Sequence, residues 1–207
     1  MISCTVASAT RFDFRDAIQR NVLVFSSDAS LEKIVGTNHA ITGWVEVDPE
    51  NLAAGVSGAI EADMRAFQAG SEMLDEFVRD KMLNSSEFPY SAFTIKRLFV
   101  PTGSKLVDGV PLQFRAEGDL QLRGQSKPLA LRMKATYFKE SEITKQRGNG
   151  NLLKLSATFE LDILDFQVPW PDAWRNKIAR KIQVSADLLG TTAPPPVKIP
   201  ILDTKKK

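Results

Sequence analysis

The sequence contains one cysteine, Cys4, and one histidine, His39, and each scarcity removes a class of function. A single thiol closes no internal disulfide and leaves the redox compartment undecided. The pair is also too few for a His/Cys zinc site or for the usual catalytic triads. Long apolar runs are missing: no stretch approaches the roughly 18 residues of a membrane-spanning helix, which points to a chain folded in water. Neither sign of charge dominates, with 27 Lys and Arg against 25 Asp and Glu for a net of +2. The charges are interspersed rather than gathered into a basic stripe, which argues against a nucleic acid partner. Asp162 and Asp165 come nearest to a paired-carboxylate centre, but Asp162 belongs to the polar row of a strand, where a solvated carboxylate is the simpler reading. The residues point away from an enzyme and from a metal site.

What the sequence does have is alternation. From Leu112 to Arg123 every second residue is apolar or glycine, with Leu112, Phe114, Ala116, Gly118, Leu120 and Leu122 set against Gln113, Arg115, Glu117, Asp119, Gln121 and Arg123. Gly124 to Pro128 make a turn, and Leu129, Leu131, Met133, Ala135 and Tyr137 resume the apolar row. Side chains of an extended strand point alternately to opposite faces, so this is a hairpin with one buried face and one wet one. The same period recurs around Val22 and Val24, from Ile41 to Val47, from Val56 to Met64, from Leu153 to Ile163 and from Ile182 to Leu188. Phe93 and Ile95 share one face, whereas Leu98 and Val100 continue the row at even numbers, so a bulge is expected near Lys96 or Arg97. That makes eight or nine one-sided strands.

One segment breaks the pattern. Between residues 71 and 83, Met73, Leu74, Phe77, Val78 and Met82 fall at roughly helical spacing. Ser71 suits the N-cap, Glu72, Asp75 and Glu76 lie early, and Arg79 and Lys81 lie late, as the helix dipole favours. A second, shorter helical stretch is expected at residues 171–178, in a connection carrying Trp170 and Trp174, a pair suited to packing over a barrel end. One-sided antiparallel strands with one helix close most economically as a sandwich or a barrel. The apolar rows include Gly43, Gly58, Ala62, Ala116, Gly118, Ala135, Ala157 and Ala186, which favours the barrel. The space such small residues leave is closed by sheet curvature and larger neighbours, or is occupied by a ligand.

Three stretches carry a family resemblance. VRDKMLNSSEFPYSAF at 78–93, EGDLQLRGQSKPLAL at 117–131 and FELDILDFQVP at 159–169 are similar, in order and spacing, to segments of the YceI-like polyisoprenoid-binding proteins. Gln68-Ala69-Gly70 before the helix, and Gln121 and Arg123 in the hairpin, depart from the family pattern. The resemblance implies an all-β fold, an eight-stranded antiparallel lipocalin-like barrel with the helix at about 71–83 near one end. It also implies a bacterial periplasmic or secreted location, no catalytic activity, and no cofactor beyond a bound isoprenoid or fatty-acyl lipid. The partner would be that hydrophobic small molecule, with no nucleic acid and no integral membrane segment; the oligomeric state is left open, a homodimer being one option. The expected tunnel lining is Ile60, Leu74, Phe77, Phe93, Ile95, Phe114, Ala116, Leu131, Met133, Ala157 and Phe159. The competing reading is a secreted barrel with a filled core that acts through its surface. At the ends, residues 1–10 read as a leader, with Cys4 a lipidation candidate, or as a disordered N-terminus, and 193–207 as a proline- and lysine-rich tail, leaving 11–192 as one domain.

Overall fold

The computed structural model describes residues 9–193, in which ten strands surround one core. In chain order they are β1 (Thr10–Asp13), β2 (Val22–Asp28), β3 (Lys33–Asn38), β4 (Ile41–Val47), β5 (Val56–Asp63), β6 (Tyr90–Phe99), β7 (Pro111–Leu122), β8 (Gln125–Phe138), β9 (Leu152–Asp162) and β10 (Lys181–Thr191). From β4 to β10 each strand is antiparallel to its sequence neighbour, and β1 pairs with both β4 and β10, which closes the sheet on itself. β10 also pairs with β2, which pairs in turn with β3. Along β10, Thr191 faces Asp13 of β1 while Asp187 faces Val22 of β2, so β1 and β2 are two halves of one interrupted strand. β3 and β4 are the halves of its neighbour. Ten strands therefore make a closed eight-stranded antiparallel barrel, as the family resemblance implied.

Two buried asparagines repair the interruptions. The Asn21 side-chain amide donates to the Phe14 carbonyl at 2.7 Å and its oxygen accepts from the Leu189 N–H at 2.8 Å. Asn38 donates to the Asp63 carbonyl at 2.8 Å and accepts from the Ala40 N–H at 2.9 Å. Where the ladder stops, these side chains supply the partners that buried backbone groups require. The expected bulge lies between Ile95 and Arg97, where the β6–β7 register shifts.

The helix α1 (Glu72–Glu76) starts where the acid-to-base gradient placed it, with Ser71 Oγ accepting from the Leu74 N–H at 3.3 Å. It then widens into a π-helical turn, Phe77–Leu83, which helical periodicity did not foretell, and ends at Asn84 in the left-handed region with φ of 50°. Sequence reading also missed β1, β3 and the short α2 (Glu142–Lys145), and it overextended the stretch at 171–178, which keeps only a 3-10 turn, Asp172–Trp174. The expected leader reaches one residue too far, because Thr10 already pairs with Val47. Residues 1–8, with Cys4, and 194–207 lie outside the described residues.

Charged side chains such as Arg97, Arg115, Glu117, Lys134 and Lys154 occupy the outward rows, while the apolar rows turn inward into two clusters. One fills the end opposite the helix around Phe12, Phe14, Tyr137 and Leu153, with the Phe12 and Tyr137 rings edge to face at 6.1 Å. The other lies under the helix, around Phe67, Val78, Met82, Phe166 and Val168.

Candidate functional site: an apolar cavity inside the barrel

Between the two clusters the interior is not filled. A cavity of about 220 Å³ runs from the middle of the barrel, at Leu23, Met133, Leu155 and Leu188, to the helical end, at Phe67, Val78, Met82 and Ile178. The strands create it because their inward residues meet at this level as a mixture of long and short side chains, with Ala62, Ala157 and Ala186 on the wall.

Not every small residue leaves space. A Cβ on Gly43 would collide with the Ala59 carbonyl, one on Gly58 with the Trp44 carbonyl, and one on Gly118 with the Thr94 carbonyl and the Phe93 ring. At those glycines the strands coil close together and close the gap themselves, the curvature alternative of the two the sequence left open. The alanines of β5, β9 and β10 instead stand at open space on the cavity wall.

Seven of the eleven expected tunnel residues line the cavity: Ile60, Phe93, Ile95, Leu131, Met133, Ala157 and Phe159. Four do not. Leu74 and Phe77 pack in the cluster at the helical end, Phe77 against Trp174 with ring centroids 4.8 Å apart. The π-helical turn brings Val78 and Met82 to the cavity in their place. Phe114 packs against the cluster at the closed end. Ala116 is fully buried, opposite Leu98 on one side and Leu131 on the other, and these larger neighbours cover it. Sequence reasoning missed Phe25 and Ile34, which stand on the interrupted strands, and Val168 and Ile178, which come from the connection between β9 and β10. Period-2 alternation carries no signal for residues outside strands.

The lining holds no ionisable side chain. Its polar members are Ser27, Asn38 and Ser91, and each is already engaged. Ser27 Oγ accepts from the Ala179 N–H at 2.8 Å, Asn38 bridges the strand break, and Ser91 Oγ donates to the Gln121 carbonyl at 2.8 Å. Shifted carboxylates are found on the outer surface: Arg65 beside Asp63, and Arg180 beside Asp162, hold those carboxyls below their ordinary range through side-chain hydrogen bonds. Asp162 also accepts from the Leu164 N–H, so its role is to cap a turn and pair with Arg180 at 2.7 Å. Burial raises the Tyr137 phenol, which sits in the closed-end cluster. Among the described residues no group of three or more His, Cys, Asp or Glu is placed to hold a metal ion. The chemistry this arrangement offers is removal of apolar surface from water.

Aromatic and loop side chains close the helical end. Phe25 and Phe67 stack with centroids 3.9 Å apart, and Trp170 Nε1 donates to the Ile178 carbonyl at 2.9 Å, so the lining residues Phe67 and Ile178 are both tied down. Among the described residues no helix is long and apolar enough to cross a membrane.

Comparison with known proteins agrees with this geometry. No curated protein matches the sequence. Among solved structures, Burkholderia cenocepacia BcnA is similar at 15% identity with a TM-score of 0.65, over 83% of this chain and 97% of that one. A polyisoprenoid binding domain from Saccharophagus degradans, implicated in plant cell wall breakdown, is similar at 12% identity with a TM-score of 0.65, over 90% of this chain and all of that one. A Campylobacter jejuni YCEI protein is similar at 13% identity with a TM-score of 0.58, over 74% and 82%. At these identities the structures establish the shared fold. A family model for the YceI-like domain matches residues 15–189, which span the barrel from the loop after β1 to near the end of β10, and the chain belongs to that family.

Proposed function

We propose that the protein binds, without catalysis, a single long apolar chain of isoprenoid or fatty-acyl type inside the barrel. The observation that carries this reading is a cavity of about 220 Å³ whose lining has no ionisable group and no unengaged polar side chain. A void of that size far exceeds the roughly 10–15 Å³ that admits one water, and its apolar wall offers water almost no partners. Left empty, it would forfeit on the order of 5 kcal/mol of packing, a large share of a domain's net stability. An apolar chain recovers that loss and gains roughly 0.8 kcal/mol for each methylene it removes from water. The Saccharophagus degradans neighbour, described as a polyisoprenoid binding domain, supports the choice of ligand class.

A carrier or storage protein for such a lipid, in the periplasm or secreted, is the role most consistent with the family resemblance. The rival, a barrel with a filled core that acts only through its surface, does not explain the cavity. Native mass spectrometry of the purified protein, followed by denaturation and organic extraction, tests the choice. The expected result is one bound lipid per barrel, released on unfolding. A protein that carries no lipid and takes up no prenyl or acyl chain when offered one would overturn the reading.

A further inference from the structure

The sequence scatters its charges, but strand register gathers some of them on the outer wall. Across β7, β8, β9 and β10 one outward row reads Arg115, Arg132, Thr158 and Ser185, and the next reads Gln113, Lys134, Ser156 and Asp187. All eight line one open recess on the outside of the barrel. Arg115 and Arg132 face each other directly across the ladder, a like-charge pairing that costs stability in a strand pair. Arg97 and Arg115 share the carboxylate of Glu117 at 2.8 and 2.7 Å, and among the described residues Arg132 and Lys134 have no ion pair. Arg97, Arg115, Arg132 and Lys134 thus stand against two carboxylates, Glu117 and Asp187. The bordering carboxylates are occupied, Asp187 by Lys154 at 3.0 Å and Glu160 by Lys181 at 2.8 Å.

The rest of the recess is hydroxylated along β9 and β10 and ends at the half-buried Val24 and Val22 of β2, which continue the two rows. Among the described residues the hydroxyls of Ser156, Thr158 and Ser185 make no side-chain hydrogen bond, so they remain available to a ligand. Two rows two residues apart, across three strand spacings, form a strip roughly 14 Å long and 7 Å wide. We infer that this strip binds an acidic oligosaccharide, its carboxylates held by Arg132, Lys134 and Arg115 and its hydroxyls by Ser156, Thr158, Ser185 and Gln113. Two other polyanions fit less well. Single-stranded nucleic acid needs free aromatic faces for stacking, but Phe114 packs against the interior cluster, and Phe99 on β6, opposite Arg115, is already faced by Arg97 at 4.3 Å and Arg115 at 5.1 Å. An anionic bilayer is held by protruding apolar anchors beside the cations, whereas here the apolar pair Val22 and Val24 is half-buried and is separated from Arg132 and Lys134 by Ser156, Thr158, Ser185 and Asp187. The inference stands on the outer wall and is independent of what the cavity holds.

The test is calorimetric titration at low ionic strength with trigalacturonate, with its methyl-esterified form as a neutral isostere. A single-stranded oligonucleotide and phosphatidylglycerol vesicles serve as rival polyanions. Both the purified and the delipidated protein are titrated. The acid form is expected to bind with a Kd tighter than about 1 mM, and the ester at least about tenfold more weakly. Arg132→Glu with Lys134→Glu should abolish binding, and Thr158→Val should weaken it several-fold. Urea melts of the variants confirm that they fold, and Arg132→Gln replaces the double variant if it does not. The inference is overturned if trigalacturonate does not bind, if ester and acid bind alike, if the variants bind normally, or if the oligonucleotide or the vesicles bind more tightly than the saccharide.

Discussion

The rings of Phe77 and Trp174 meet edge to face, centroids 4.8 Å apart and planes at 73°, and the contact joins two elements that close the same end of the barrel. Phe77 opens the π-helical turn whose Val78 and Met82 line the cavity, and Trp174 ends the 3-10 turn four residues before Ile178, another lining residue. Trp174→Ala removes a half-buried ring and an aromatic pair, a loss of roughly 1–3 kcal/mol. The urea midpoint should fall with an unchanged slope, and a bound chain should transfer to acceptor liposomes faster than from wild type. A variant matching wild type in both would mean that the pair does not hold this end.

Ala157 and Ala116 look equivalent in sequence, since both are small residues on inward rows, yet only Ala157 is on the cavity wall. Ala157→Trp has space to enter, so lipid recovered on extraction should drop sharply while the protein stays folded. Ala116→Trp has none, and overpacking there should cost roughly 1–3 kcal/mol or more. Arg115→Ala, outside the wall, should leave lipid content unchanged. Equal behaviour of the two tryptophan variants, in extraction and in urea melts, would contradict the placement of the cavity.

Asp63 and Asp162 have folded-state pKa values below those of the unfolded chain, chiefly through hydrogen bonds from Arg65 and Arg180. A depressed carboxyl stabilises the fold above its unfolded pKa of about 3.9, and that contribution disappears as pH falls through the folded value. Stability should therefore be flat from neutrality to about pH 5 and decline below it. Asp162→Asn should flatten that acid limb in urea melts taken at successive pH values, and an unchanged limb would remove Asp162 from the account.

The described barrel begins pairing at Thr10 and ends at Thr191. A fragment spanning 9–193 should fold with a urea midpoint close to that of the full chain, as expected if the ends contribute no ladder pairs. Loss of several kcal/mol would assign a structural role to a terminal segment.

The strands legible in the sequence were those long enough to show period-2 alternation, above all β7 and β9, and the bulge appeared in β6 as a phase slip. β1 was too short for a pattern, and β3, which reads Lys-Ile-Val-Gly-Thr-Asn, is an interrupted piece whose apolar residues do not alternate cleanly. The cavity was legible where its wall is made of strand residues. Val168 and Ile178 were not, because a loop residue is brought to an interior by tertiary packing that no local period records. The helix was found, but its widening at Phe77 redirected its inner face from Leu74 and Phe77 to Val78 and Met82. The outer basic strip was invisible for a related reason: Arg115, Arg132 and Thr158 become neighbours only once register is set.

The interruptions themselves give the last expectation. Asn21 and Asn38 are each 1% exposed, and each satisfies backbone groups at a place where the ladder has stopped. Replacing either with leucine keeps the volume but leaves a buried donor and a buried acceptor without partners, at about 1–3 kcal/mol for each unsatisfied group. Asn21→Leu should lower global stability, because its partners Phe14 and Leu189 stand at the closing seam. Asn38→Leu should also lower it and, since Asn38 lines the cavity, make the wall more apolar at that point. Urea melts of the delipidated protein measure the first effect, and Asn21→Asp separates packing from hydrogen bonding, because it keeps the acceptor and loses the donor. If Asn21→Leu were as stable as wild type, the seam would have to be satisfied by some other group.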